Sequence, residues 1–209
     1  GLTLYDLLAG LPDADMAHRH FNRSKFSERF SFLDDANLKG GYTYGDAQTD
    51  DARLVLELIA GAMAAGAVCV NYCRLTELKE AKGKIYGAMV KDQISLSETL
   101  VRSKQIVNTT GQWAAASDLG RNWCRLTKGI HLVMPAVLRD EALLLTARSD
   151  GRVFFMIPWY GVTLLGTTDT DYMGGPGQAT VEPEDIAYLL AEANHYLKTA
   201  WTEKDVLGS

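Results

Sequence analysis

Apolar residues recur at helical spacing in two segments of the chain. The first segment follows Thr49, whose hydroxyl suits it as an N-cap, and is closed by Gly66. The second begins at Pro183, a residue favoured in the first turn of a helix. The predicted buried stripes are Val55, Leu58, Ile59, Ala62 and Met63 in the first helix, and Ile186, Leu189, Leu190, Ala193 and Leu197 in the second. We also expect a short apolar helix within residues 2–11.

Short apolar runs bounded by turn residues predict strands over most of the remaining chain. They are expected at 40–46, 68–72, 85–91, 98–108, 126–134, 142–147, 152–158 and 162–168. The runs at 85–91 and 98–108 suggest a β-meander, and those after residue 124 an antiparallel, mostly buried sheet. Residues 18–31 have no clear period and predict a loop with some helix, and a short helix is expected at 112–119.

Composition and charge narrow the function classes. The chain has 209 residues, 47% of them hydrophobic, and a net charge of −5, which indicates one or two globular domains. A net negative charge argues against nucleic acid as a partner. No apolar run approaches the ~20 residues that span a bilayer. Three cysteines are too few for a disulfide framework, so we expect a reducing, cytoplasmic location.

Two polar stretches are candidates for chemistry. Arg121, Arg125, Lys128 and His131 form the densest basic stretch, and strand alternation would place Arg125 and His131 on one face. There are two interpretations of that face. Either it binds an anionic substrate, or it is the solvent-exposed start of a strand next to a buried histidine. Residues 166–171 either line a ligand or form a turn that satisfies its own backbone. Cys69 and Cys73 have no neighbouring fourth ligand, so no metal site is expected.

Four stretches, taken in order, resemble a known family. They are Tyr-Gly-Asp-Ala-Gln-Thr-Asp-Asp-Ala-Arg-Leu-Val-Leu at 44–56, Val-Asn-Thr-Thr-Gly-Gln-Trp at 107–113, Thr-Lys-Gly-Ile-His-Leu-Val-Met-Pro at 127–135, and Ile-Pro-Trp at 157–159 through Gly-Thr-Thr-Asp-Thr-Asp-Tyr at 166–172. Together they resemble the FAD-dependent, respiratory (aerobic) glycerol-3-phosphate dehydrogenases along nearly the whole chain.

The resemblance implies a mixed α/β and α+β fold similar to D-amino-acid oxidase. Such proteins combine a Rossmann-type FAD-binding domain with a substrate domain built on an antiparallel sheet. On this basis residues 49–120 are expected to be part of the FAD-binding domain, and residues 1–48 and 121–209 part of the substrate domain.

The resemblance also implies a reaction and its residues. Family members oxidise sn-glycerol 3-phosphate to dihydroxyacetone phosphate and pass electrons through FAD to quinone, with peripheral association at the cytoplasmic membrane. His131 matches the active-site histidine, either as a base or as a contact to the C2 hydroxyl. Thr110 and Gly111 match a turn beside the flavin nucleotide, and Arg74 and Leu75 match the strand end along the adenine.

The chain also departs from the family pattern. It lacks the G-x-G-x-x-G turn and the later Gly-x-Arg-Pro segment with its phosphate-binding arginine. We therefore expect an internal fragment that by itself is inactive and does not hold FAD tightly. Two alternatives remain open: a related flavoenzyme that acts on an amine or another 2-hydroxy acid, and a free-standing, non-catalytic binding module.

Overall fold

The structure, a computed structural model, describes residues 1–10, 16–116 and 125–209. These residues divide into two compact units. Unit 1 comprises 1–45 together with 112–209, and unit 2 comprises 46–111. Arg121 and Cys124, which the sequence analysis singled out, lie outside the described residues.

Unit 1 is built around an antiparallel sheet. Its helices and strands are α1 (Leu2–Leu8), β1 (Arg19–Asn22), α2 (Arg23–Arg29), β2 (Gly40–Thr43), β6 (Thr127–Lys128), β7 (His131–Pro135), β8 (Leu143–Thr146), β9 (Val153–Trp159), β10 (Val162–Gly166), β11 (Thr170–Asp171) and α4 (Pro183–Asn194). The main sheet has the order β7-β10-β9-β8. Two smaller pairs accompany it, β1 with β2 and β6 with β11. The antiparallel sheet predicted after residue 124 is thus confirmed.

One face of the main sheet forms the core. Leu132, Leu165, Met156 and Leu143 lie side by side across the four strands, and all are buried. Because side chains alternate along a strand, their chain neighbours lie on the other face. The buried cluster continues into α4 and α2, so these two helices cover this face.

Helix α4 begins at the predicted proline. Asp185 accepts a hydrogen bond from the Glu182 amide at 3.0 Å, which satisfies a backbone donor at the start of the helix. Leu189, Leu190 and Ala193 are buried, as their spacing predicted.

The segment 18–31 was expected to be a loop with some helix, and this was only partly right. Residues 19–22 form strand β1, paired with β2 from Arg19↔Thr43 to Asn22↔Gly40. The strand has four residues and a mixed pattern of exposure, which leaves no alternation to detect. Its pairing with a segment some twenty residues later creates it.

Unit 2 contains one helix and a β-meander. These are α3 (Asp51–Ala64), β3 (Cys73–Ala81), β4 (Lys84–Asp92) and β5 (Glu98–Arg102), with the strands in the order β3-β4-β5. The meander is confirmed. The strand predicted at 68–72 is wrong, because those residues pair with no described strand, and pairing begins only at Cys73.

Helix α3 differs from its prediction in two respects. The cap is Asp50, whose carboxylate accepts from the Arg53 amide at 3.0 Å, so the helix begins one residue after the position that Thr49 would have set. The predicted stripe is not buried: Val55, Leu58 and Met63 are all more than half exposed. Periodicity identifies the apolar face of a helix, but burial needs a second layer, and residues 46–111 do not place one on it.

Gly66, which follows α3, has a φ of +94°. This is the left-handed conformation predicted for a glycine that ends a helix. None of the helices formed by the described residues has the length and apolar character needed to span a membrane.

Candidate active site

His131 opens strand β7 at the edge of the main sheet, on the face opposite the core. Its register partner is Gly166 on β10, and Phe155 and Leu144 continue the same row across the sheet. The row therefore consists of an imidazole, a glycine and two apolar side chains. The histidine is exposed and, within the part of the chain that the structure describes, its ring has no hydrogen-bond partner.

The environment of His131 favours its neutral form. Although the residue as a whole is exposed, partial loss of solvation at the ring lowers the pKa of His131 below the usual value for histidine. Loss of solvation is the cause of this shift. An imidazole that is neutral near pH 7 can accept a proton. A histidine buried and paired within the core, which was one of the two interpretations, is not observed.

The chain just before His131 is held by the segment that follows β10. The Ile130 amide donates to Thr168 Oγ1 at 3.1 Å, and Thr168 is buried. Thr170 Oγ1 donates to the Lys128 carbonyl at 3.3 Å. The hydroxyls of 166–171 that make these contacts thus support backbone groups, as the second interpretation of that stretch proposed.

The two described cations of the basic stretch already have carboxylate partners. Arg125 pairs with Asp171 on the surface, where both side chains are exposed. Lys128 Nζ lies 2.6 Å from Asp185 Oδ2, and both side chains are largely buried. The hydrogen bond with Asp185 raises the pKa of Lys128. The strand predicted over 126–134 is also interrupted at 129–130, so Arg125 and His131 do not share one strand face.

The four residues expected to contact a nucleotide lie in unit 2. Arg74 and Leu75 are the second and third residues of β3 and face Lys91 and Val90 of β4 in the register. Thr110 precedes a 3₁₀ turn that begins at Gly111. No hydrogen bond among the described residues joins the two pairs to each other.

The turn at 108–111 is fixed by its own side chains. Asn108 Oδ1 accepts from the Thr110 amide at 3.0 Å and from the Thr110 hydroxyl at 2.7 Å. Gly111 has a φ of +55°, and a Cβ added there would meet no heavy atom within 4 Å. The backbone at Gly111 is therefore open to close approach by a ligand.

Comparison with known proteins decides the family. The family model described as FAD dependent oxidoreductase matches residues 3–208. The chain belongs to this family. The chain itself combines helices with antiparallel sheets, which agrees with the fold that the four sequence motifs implied.

Individual relatives of this chain are named for glycerol 3-phosphate. A probable mitochondrial glycerol-3-phosphate dehydrogenase of Caenorhabditis elegans is 34% identical over 94% of this chain and 28% of its own length. An alpha-glycerophosphate oxidase of Streptococcus pyogenes serotype M1 is 34% identical over 95% of this chain and 34% of its own. The chain thus spans about a third of these relatives, and they confirm the resemblance drawn from the motifs.

A solved structure gives the same result for the fold. The glycerol-3-phosphate dehydrogenase of Bacillus halodurans complexed with FAD matches with a TM-score of 0.81 and 34% identity. The match covers 90% of this chain and 39% of that protein.

Sequence reasoning found His131 but not the glycine beside it. Gly166 was noted only as part of a polar stretch, because its contact with His131 depends on the register between β7 and β10. The thirty-odd residues between the two positions give no local signal of that register.

Proposed function

We propose that this protein works in the FAD-dependent oxidation of sn-glycerol 3-phosphate to dihydroxyacetone phosphate, with a membrane quinone as electron acceptor. The observation that supports this most is the match of nearly the whole chain to glycerol-3-phosphate dehydrogenases and oxidases at 34% identity. The assignment of His131 as the active-site histidine rests on the Lys-Gly-Ile-His motif at 128–131.

His131 is proposed to accept or hold the proton of the C2 hydroxyl. Oxidation of an alcohol removes a hydride from carbon and a proton from oxygen, and the proton needs an acceptor within hydrogen-bond reach. The lowered pKa of His131 keeps its imidazole neutral near pH 7, and no described residue competes for its ring nitrogens. Its place at the edge of an apolar row also limits the number of polar groups that compete with the substrate.

FAD, when bound, supplies the hydride acceptor. In unit 2, Thr110 and Gly111 fit a role beside the nucleotide, because the turn is fixed by Asn108 and the glycine offers open backbone. Arg74 and Leu75, at the start of β3, are proposed to lie along the adenine. In this proposal unit 2 belongs to the FAD-binding domain and unit 1 to the substrate domain.

The ion pairs limit which cations serve the substrate phosphate. Lys128 is held by Asp185 in a largely buried pair, and freeing it would leave that carboxylate without its cation. Arg125 is bound to Asp171. We therefore propose that neither cation binds the substrate phosphate and that other groups neutralise its charge.

The proposal is tested with the complete gene product. Flavin reduction is followed without acceptor after addition of glycerol 3-phosphate, glycerol, glycine or a 2-hydroxy acid. We expect reduction by glycerol 3-phosphate alone, and faster reoxidation by a quinone analogue than by oxygen. Reduction by glycine or the hydroxy acid instead would contradict the substrate, and faster reoxidation by oxygen would contradict the acceptor.

A further inference from the structure

Gly166 lies so close to His131 that no side chain fits between them. A Cβ built on Gly166 would be 2.8 Å from Cδ2 and 3.1 Å from Cγ of His131. It would also be 2.7 Å from the Ile130 carbonyl oxygen. The edge of the imidazole that holds Cγ and Cδ2 therefore rests on the backbone of β10, in space that any other residue would fill.

The backbone that carries His131 cannot easily move away from this contact. A Cβ added to Gly129 would collide with Thr167 Oγ1 and would be 2.9 Å from the Thr168 carbonyl oxygen, so the two segments touch there as well. The Ile130 amide is bonded to Thr168 Oγ1. After the histidine, Leu132 pairs with Leu165 of β10. The crossing of 129–131 over 166–168 is thus fixed on both sides of the histidine.

We propose that Gly166 is a positioning residue for His131. Its missing side chain lets the Cγ–Cδ2 edge of the imidazole pack against the strand and sets the direction in which the ring nitrogens face. The packing of Gly166 against His131 follows from the distances alone, whereas its consequence for turnover rests on the proposed function. A residue with a side chain at 166 would push the ring off the strand, further into solvent and away from its working direction.

The packing is tested by NMR titration of the histidine rings in the 209-residue chain. Only four histidines are present, and His131→Gln assigns the signal of His131. In Gly166→Ala we expect the titration midpoint of His131 to rise toward the usual histidine value, because the ring loses the burial that lowers its pKa. Gly177→Ala is the matched control, since a Cβ there meets nothing within 4 Å. An unchanged midpoint in a folded Gly166→Ala protein would overturn the proposal.

The double variant decides the case in which Gly166→Ala does not fold. If the collision with the imidazole is the cause, His131→Ala in the same chain removes it and restores folding. If Gly166→Ala with His131→Ala remains unfolded while His131→Ala alone folds, the Ile130 carbonyl is the decisive neighbour and the proposal is wrong.

The catalytic consequence is measured in the complete gene product. A misplacement of about 1 Å costs on the order of 10²-fold in rate, so we expect Gly166→Ala to lower kcat by roughly 10- to 100-fold with a smaller change in KM. If the titration of His131 shifts but kcat is unchanged, the proposed packing of Gly166 against His131 is supported and His131 has no role in the proposed reaction. An unshifted titration would reject the packing, whatever the activity.

Discussion

Glu192 of helix α4 accepts hydrogen bonds from the turn between β8 and β9. Its carboxylate accepts from the Arg148 amide at 2.5 Å and from the Ser149 amide at 3.2 Å, one bond to each oxygen. The residue is only 3% exposed. Glu192→Gln keeps the shape of the side chain, but one carboxylate oxygen is replaced by an NH₂ group. That group is a hydrogen-bond donor and would face one of the two backbone amides, which is also a donor.

The size of the effect follows from these contacts. A hydrogen bond to a charged group contributes about 1.5–3 kcal/mol. The variant loses one such bond, and the acceptor of the remaining bond is no longer charged. We therefore expect the free energy of unfolding to fall by about 2 kcal/mol, out of a total on the order of 5–15 kcal/mol. For a protein of this size that corresponds to a Tm lowered by roughly 4–8 °C.

The loss is expected to depend on pH. Burial raises the pKa of Glu192, but the hydrogen bonds from Ser149 and Arg148 outweigh it, so the pKa in the folded protein is below the usual 4.5. A carboxyl group whose pKa is lower in the folded state stabilises the fold at pH values above its pKa in the unfolded state. That stabilisation is lost as the pH falls through its pKa in the folded state. The difference between wild type and Glu192→Gln is therefore full at neutral pH and shrinks below about pH 4.5.

Urea unfolding followed by tryptophan fluorescence measures the change. All four tryptophans lie outside residues 46–111, so the signal reports on unit 1. Glu28→Gln is the control, because it makes the same chemical change at an exposed position of α2. If Glu192→Gln unfolds at the same urea concentration as Glu28→Gln at pH 7, the reasoning is refuted.

Three other predictions concern separate parts of the chain. Hydrogen bonds from the His18 ring and amide lower the pKa of Asp6, so α1 should lose protection from amide exchange as the pH falls through that pKa; equal protection in Asp6→Asn at pH 7 would contradict this. Gly61→Ala should stabilise α3 by about 1 kcal/mol and raise its helical circular dichroism, since a Cβ there meets no neighbour; an unchanged spectrum would count against it. The 209-residue chain should be purified colourless, because it has no G-x-G-x-x-G turn to bind the pyrophosphate; near-stoichiometric FAD in its absorption spectrum would refute this.

Local signals in the sequence predicted elements that depend on local physics. Pro183 marked the start of α4, because a proline without an amide hydrogen fits the first helical turn. The turn at Tyr160 and Gly161 joins β9 and β10 with both residues at positive φ, the geometry of a tight hairpin. Each of these features is decided within a few residues of chain.

The features that the sequence did not predict depend on distant partners. Strand β1 exists because β2 pairs with it, and the apolar face of α3 is exposed because no described layer covers it. Lys128 was noted only as part of a basic stretch, and its partner Asp185 lies 57 positions later in the chain. His131 was identified from its resemblance to a family position, whereas the glycine beneath it required the register of the folded sheet.

The central claim is that His131 handles the proton of the substrate hydroxyl, and His131→Ala in the complete gene product tests it most directly. The measurement is kcat per bound flavin with glycerol 3-phosphate, taken beside a melting curve. A positioned acid–base group contributes on the order of 10² to 10⁴-fold, so kcat per flavin should fall by that factor, with a smaller rise in KM and the same flavin content. Turnover per bound flavin equal to that of the wild type, with only the melting temperature lowered, would contradict the claim and leave His131 as a structural residue.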